Sequence, residues 1–233
     1  AATRASGTQW CQNRIIRHNL SVKSKKTRVD LTSWNRSEHF HFFKEFDEPF
    51  FGITTHVDCT KAYHRSKNEG FSFYLYYLYQ SLRAINESIP FRYRMEGEEV
   101  WLYERIHAST TLLREDKTFA FTFVPYTDTF EEFVQAARLE FDDAMNSTGL
   151  RMSESTNRAD VIHYSSIPWF PFTAISHARA FKFEDSIPKF TFGKFHEENG
   201  SKKLPVSLHV HHGMMDGYHV VQFLELFQQF LLD

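Results

Sequence analysis

Cysteine is scarce: Cys11 and Cys59 are the two copies in 233 residues. That number excludes a disulfide framework and makes a reducing, cytoplasmic setting the simplest reading. Long apolar runs are missing too. None reaches the roughly 18 residues that cross a bilayer, so no membrane span is expected. Lys and Arg are not clustered and the net charge is only −2, so the basic footprint of a nucleic-acid binder is absent. The chain shows no internal repeat, no interdomain linker and no hexapeptide repeat of a left-handed β-helix. What it has in excess is rings: 17% of residues are Phe, Trp or Tyr, with 25 Phe. With 42% hydrophobic residues, this length suits one globular domain, or at most two small ones, around a ring-lined core.

Residues 1–26 stand apart. "AATRASGTQWCQNRIIRHNLSVKSKK" holds six Lys or Arg and no Asp or Glu, which leaves 21 basic and 29 acidic residues, net −8, in the rest. It lacks the apolar centre of a secretory signal. Its acid-poor composition is that of an organelle transit peptide, a mis-assigned start or a cloning remnant. Fold reasoning therefore treats 1–26 as a basic leader and 27–233 as a single domain.

From about residue 28 the pattern mixes α and β. "LTSWNRSEHFHFFKEF" spaces Trp34, Phe40, Phe43 and Phe46 as a short helix with Thr32 or Ser33 as N-cap. "FGITTHVD" alternates as a strand. Phe71, Tyr74, Leu75, Leu78, Leu82 and Ile85 repeat at helical spacing, as do Phe130, Phe133, Val134, Ala137, Phe141 and Met145. "EEVWLYERI", "TFAFTFVP", "DVIHYSSIPWF" and "FTAISHA" read as strands. "KFTFGKFHEENGSKKLPVSLHVHH" reads as a hairpin turning at Asn199-Gly200. "YHVVQFLELFQQFLL" closes the chain as a helix.

The segment "LHVHHGMMDGYHV", residues 208–220, holds four of the chain's 13 histidines. Strand periodicity puts Val206, Leu208, Val210 and His212 on one face and Ser207, His209 and His211 on the other. Asp216 follows four residues after His212, and Gly217 lets the chain turn into the last helix. Three readings fit this pattern. His212 is a satisfied core histidine and Asp216 a helix cap; or His209, His211, Asp216 and His219 hold zinc, without support from cysteine or a His-Glu-x-x-His motif; or an imidazole here acts as a general base near neutral pH. The local pattern does not choose between the first and the third.

A wider pattern bears on that choice. "HHGMMDG" at 211–217 resembles the His-His-x-x-x-Asp-Gly signature of the chloramphenicol acetyltransferase family, and "YHV" continues it. "WNRSEHF" at 34–40 is similar to the family's Trp-x-Arg-x-Glu-His-Phe block, "YSSIPWFPF" at 164–172 to its Ser-x-x-Pro-Trp segment, and "FTFGK" at 190–194 to its Thr-x-x-Lys strand. The blocks occur in family order across about residues 28–232. The histidine motif alone is shared with other coenzyme-A-dependent acyltransferases; the four blocks together are specific.

The resemblance implies a two-layer α/β sandwich with a mixed sheet, and a homotrimer whose three active sites lie at subunit interfaces. It implies direct acetyl transfer from acetyl-CoA to a hydroxyl, with no metal. On the matching positions, His212 is the general base and His211 is structural. Ser165, rather than Ser166, is the donor to the tetrahedral oxyanion. Arg36 and Asp216 form a supporting pair, and Thr191 helps to hold an ordered water. Tyr74 lies near the adenine and Lys194 on the same coenzyme side. Phe43 and Leu112 belong to the acceptor pocket. Departures from the family pattern concentrate there: Phe43 stands where some members have tyrosine, Leu112 and Leu113 replace an aromatic-His pair, and His209 replaces the usual Gln. Ser72 falls where some members have a phosphate-binding lysine.

Acetyl transfer is thus expected more firmly than chloramphenicol as acceptor. The alternatives are a same-fold acyltransferase with another hydroxyl or dihydrolipoamide as acceptor, and a non-catalytic trimeric drug-binding protein. Lipoyl and peripheral-subunit-binding domains are not visible before the core, and the Asp-His-Arg form of the motif is replaced here by His-His-Gly.

Overall fold

The computed structural model describes residues 24–154, 156–180 and 184–233. The chain enters through β1 (Lys26–Arg28), α1 (Ser37–Phe43), β2 (Phe50–Asp58), α2 (Thr60–Glu69) and α3 (Phe73–Glu87). A short 3-10 turn, Ile89–Arg92, leads to β3 (Tyr93–Glu96) and β4 (Glu99–Tyr103). Then come β5 (His107–Leu113), β6 (Phe119–Val124), α4 (Phe130–Met145) and β7 (Val161–Ile167). The chain ends with β8 (Lys189–Gly193), β9 (His196–Glu198), β10 (Ser201–His211) and α5 (Gly217–Leu232).

The main sheet runs β2-β10-β8-β7-β5-β6, with β9 beside β10. Its β7 strand pairs parallel to both β5 and β8, whereas the other ladders are antiparallel. The sheet is therefore mixed. A second antiparallel sheet has the order β1-β4-β3.

Helices cover one face of the main sheet. Phe223 of α5 packs on Phe190, Phe227 on Phe192, and Tyr77 of α3 on Phe192. Val206, Leu208 and Val210 of β10 lie fully buried on this face, in one core with Leu78, Leu82 and Ile85 of α3. Each such side chain contributes about 1.5–3 kcal/mol by leaving water. Ser72 caps α3 by accepting from the Leu75 N–H, and Thr129 caps α4 by accepting from the Glu132 N–H. Asn199 and Gly200 both have positive φ, 50° and 79°, as a two-residue turn between β9 and β10 requires. Pro205 sits in the middle of β10, opposite the gap between β8, which pairs with Val206–His209, and β9, which pairs with Ser201–Lys203. A residue without an N–H is tolerated at such a break.

Register partners point to the same side of a sheet. Thr54, Ser207, Thr191 and Ser165 therefore form a row of hydroxyls across β2, β10, β8 and β7 on the face opposite the helices. Gly52, His209, Lys189 and His163 form the next row.

Several expectations change. Thr32 and Ser33 do not cap α1; their hydroxyls bond the Asp30 carboxylate, and the helix starts at Ser37. "FTAISHA" is not a strand, because β7 and β10 already occupy both edges of β8. Helix α2 buries only Ala62 and Ser66, too little apolar spacing to read. Strand β5 is buried on both sides at Ala108, Ser109 and Thr110 and shows no alternation. The basic leader, as placed at 1–26, overlaps the fold: Ser24 bonds Asp160 and His107, and Lys26 opens β1. Residues 1–23 lie outside the described residues.

Candidate active site

His212 follows directly on β10. Its N–H donates to the Pro49 carbonyl at 2.8 Å. Its ring stacks on Phe43, centroids 4.1 Å apart and planes within 8°, and leans on Phe51 at 4.7 Å. Phe51 is the register partner of Val210, so the imidazole sits at the margin of the helix-covered face. The ring is half-buried and its Nδ1 has no hydrogen-bond partner among the described residues.

The turn beneath it is held from α1's side. Arg36, 8% exposed, donates to the His212 carbonyl at 3.0 Å and to Asp216 Oδ2 at 2.9 Å. Asp216 caps α5: its carboxylate accepts from the Tyr218 N–H, and its own N–H donates to His219 Nδ1. Burial pushes the Asp216 carboxyl up, but the Arg36 hydrogen bond and the nearby charges outweigh it and hold the group below the usual carboxylate range. His211 is fully buried and accepts from the Gly213 N–H at 3.1 Å. Burial, with Arg179 nearby, holds it neutral at about 4. Gly213 is required by close approach, since a Cβ there would lie 3.0 Å from the His211 ring and 3.2 Å from the Phe40 Cα. Gly217, expected to relieve the turn, has open space around it and no positive φ; it is simply the first residue of α5.

Ser165 and Thr191 are register partners on β7 and β8. Ser166 faces the opposite side, where its hydroxyl meets Tyr77 at 3.3 Å. Ser165 is half-buried, and its hydroxyl forms no hydrogen bond with the described residues. Thr191 is fully buried and lies 2.8 Å from His177 Nε2. His177 belongs to the irregular segment after β7, and nothing in "FTAISHA" marks it as a functional position. Thr54 donates to Ser207 at 2.9 Å in the same row.

The remaining expected residues divide into two groups. Tyr74, on α3, packs against Tyr77 and Phe141; burial pushes its phenol up to about 12. Lys194 is exposed just after β8, and the ring of its neighbour Phe195 meets Phe73, next to Tyr74. The structure thus brings Tyr74 and Lys194 to one end of α3. It does not bring Phe43 and Leu112 together, because β2 and β5 are four ladder steps apart in the sheet, roughly 19 Å. Nor does it bring His212 to Ser165 within one chain. Ser207, in the Ser165 row, lies five positions before His212 along β10, roughly 16 Å, and the two side chains occupy opposite faces. The zinc set is dispersed as well: His209 meets His177, His211 meets Gly213, and His219 and Asp216 cap α5. Among the described residues no group of three or more His, Cys, Asp or Glu is arranged to hold a metal ion.

A family model for chloramphenicol acetyltransferase matches residues 25–228. A chloramphenicol acetyltransferase of Staphylococcus aureus is 30% identical over 205 residues, 87% of this chain and 94% of that protein. One from Bacillus pumilus is 29% identical over 191 residues, 82% and 86% of the two chains. A solved chloramphenicol acetyltransferase superposes with a TM-score of 0.83 at 33% identity, covering 89% of this chain and 100% of that one. A probable dihydrolipoamide acetyltransferase from Listeria monocytogenes superposes at 0.63 with 12% identity, which is a likeness of fold alone. The family model spans most of the chain, and a 30%-identical relative is covered over 94% of its length: the chain belongs to the chloramphenicol acetyltransferase family.

Proposed function

We propose that this protein transfers acetyl from acetyl-CoA directly to a hydroxyl of chloramphenicol, with His212 as general base, and so inactivates the antibiotic. The observation that carries the reading is the setting of His212. Its ring is fixed between Phe43 and Phe51, its carbonyl is tied to Arg36, and its Nδ1 is buried. Nε2 is left as the nitrogen that can reach a substrate.

An alcohol is a poor nucleophile at neutral pH. His212 Nε2 takes the hydroxyl proton as the oxygen attacks the thioester carbon. It returns that proton to the departing thiolate when the carbon–sulfur bond breaks. Ser165 donates to the oxygen that gains negative charge, which favours the tetrahedral state over the planar thioester. Arg36 and Asp216 position the His212 turn, and Thr191 supports the donor row. Tyr74 and Lys194 wall and charge the coenzyme side, Phe43 and Leu112 the acceptor side.

Because His212 and Ser165 are separated within one chain, the working site combines His212 of one copy with Ser165 and Thr191 of another. A homotrimer with three interfacial sites satisfies this. The exposed rings of Phe42, Phe46, Trp169 and Phe170 suit such an interface better than water. Residues 24–233 act as one acetyltransferase domain. No described helix is long and apolar enough to cross a membrane. A chain with only two cysteines suits a reducing, cytoplasmic setting.

The test is thiol release from acetyl-CoA in the presence of chloramphenicol. The wild type should turn over, and His212→Ala should lose about 10²- to 10⁴-fold in kcat with its fold retained. Release with dihydrolipoamide or another alcohol in place of chloramphenicol would move the acceptor. Binding of the drug without any thiol release would make the protein a binder.

A further inference from the structure

The end of α3 that carries Tyr74 and Lys194 also carries a group of side chains that the proposed mechanism does not use. Tyr63 of α2, Phe73 of α3 and Phe195 after β8 form a triangle of half-buried rings, with centroids 4.8, 5.4 and 5.9 Å apart. Ammonium groups stand around it. Lys202 Nζ lies 4.9 Å from the Tyr63 ring and 5.4 Å from the Phe195 ring. Lys67 Nζ lies 5.3 Å from the Tyr63 ring. Lys194 is the chain neighbour of Phe195 and is exposed.

These cations differ in what compensates them. Lys202 donates to Glu197 at 2.5 Å, and its side chain is only 13% exposed. Arg65, two residues before Lys67, is taken by Glu69 and Tyr76. Lys67 and Lys194 are exposed and have no acidic partner among the described residues. Lys67 follows Tyr63 by one helical turn, which sets its stem beside that ring. Ser72, which opens α3 beside Phe73, is a neutral cap. Uncompensated cations flanking half-exposed rings suit a ligand that offers both a flat base and phosphate.

The order of the groups fits acetyl-CoA. In the proposed reaction the thioester lies beside Ser165 and Thr191. Lys194 stands three residues beyond Thr191, just past the end of β8, roughly 10 Å along the strand direction. Outward from there come the Phe195 ring, the Tyr63 ring and then the Lys67 ammonium. In the coenzyme the pantetheine arm comes first from the thioester, then the diphosphate, then the ribose with its 3′-phosphate and adenine. Lys194 is placed for the diphosphate. Lys67, beyond the rings, is placed for the 3′-phosphate.

We propose that Lys67 pairs with the 3′-phosphate of acetyl-CoA while the Tyr63 and Phe195 rings wall its adenosine, so that α2 selects the 3′-phosphorylated coenzyme over its 3′-dephospho form. Lys67 is a specificity residue. Its contact is equally present before and during acetyl transfer, so it sets KM and not kcat. This rests on the reading of acetyl-CoA as co-substrate given above.

The experiment measures kcat and KM for acetyl-CoA and for its 3′-dephospho form at saturating chloramphenicol, in the full chain, Lys67→Met, Lys67→Arg and Lys194→Met. Kd values for CoA and 3′-dephospho-CoA are read by calorimetry alongside. Lys67→Met, which keeps the stem and loses the charge, should raise KM for acetyl-CoA roughly 10-fold, the size of one charge-assisted contact. It should leave kcat, and KM for the 3′-dephospho form, within about twofold. The preference of the full chain for the phosphorylated coenzyme should shrink by the same factor. Lys67→Arg should retain that preference. Lys194→Met should weaken both coenzymes alike, because both carry the diphosphate. An equal rise in KM for the two coenzymes in Lys67→Met, no change in either, or a loss confined to kcat overturns the proposal. So does a full chain that does not distinguish the two coenzymes. If chloramphenicol is not turned over but the two Kd values differ and converge in Lys67→Met, the contact stands and the acceptor assignment falls. If neither coenzyme binds, the underlying reading falls together with the proposal.

Discussion

Strand β10 has two faces, and they do opposite jobs. Val206, Leu208 and Val210 point into the helix layer and are fully buried among rings. Ser207, His209 and His211 point the other way, to a face where hydroxyls, imidazoles and Lys189 are packed nearly as tightly. One face gains stability by leaving water. The other pairs its polar groups with Thr54, His177 and the Gly213 N–H, and leaves the buried His211 Nε2 without a partner among the described residues. Alternation along a single strand thus separates an apolar face that holds the fold from a polar face of mostly paired groups.

Acid should divide the two faces most sharply. Burial, with additional nearby charges, holds His163, His177 and His211 each at about 4, against roughly 6.5 in an unfolded chain. Between those values the unfolded state binds more protons, so stability rises with pH. The contribution is complete above about pH 6.5 and is lost as pH falls toward 4, at about 1.4 kcal/mol per pH unit for each imidazole. Urea midpoints measured from pH 4 to 8 should show this slope; a flat profile would mean the polar face opens to water without cost.

A smaller contrast comes from neighbouring residues. Leu208→Ala, on the helix face, should cost about 2–5 kcal/mol through the cavity it leaves. Ser207→Ala, one residue away, removes only the acceptor of the Thr54 hydroxyl and should cost about 1 kcal/mol. Equal denaturation midpoints for the two variants would erase the distinction between the faces.

Arg36→Ala tests the margin where the faces meet. It leaves the His212 carbonyl and the Asp216 carboxylate without their donor. The Asp216 side chain is 38% exposed, so the cost is about 1–2 kcal/mol, below that of a fully buried pair. Activity should fall further than this stability loss predicts, because the turn under His212 loosens. A variant with lowered melting temperature and unchanged kcat would show that the brace does not position the base.

Much of the fold was legible because its periodicities are strong. The 3.6-residue spacing in α3, α4 and α5 and the Asn-Gly turn before β10 read directly from residue type. β5 and α2 were hidden by composition: one is polar yet buried on both sides, the other has almost no apolar stripe. Thr32 and Ser33 looked like caps, but Asp30 claimed both hydroxyls. The contacts of His177 were not legible, since its partners Thr191 and His209 lie 14 and 32 residues away in sequence.

The sequence by itself marked α3, α4, α5 and the Asn-Gly turn, offered Asp216 as a cap of the last helix in one of its readings, and put His212 at the end of an apolar row. Those follow from local propensity and periodicity, which act over a few residues. The Arg36–Asp216 pair, implied beforehand by the family resemblance, spans 180 residues; only the tertiary structure decided that Gly213 rather than Gly217 is crowded, and that Ser165 and His212 lie on opposite faces of one sheet. Those depend on strand order and register, fixed by packing between distant segments rather than by the residue types themselves.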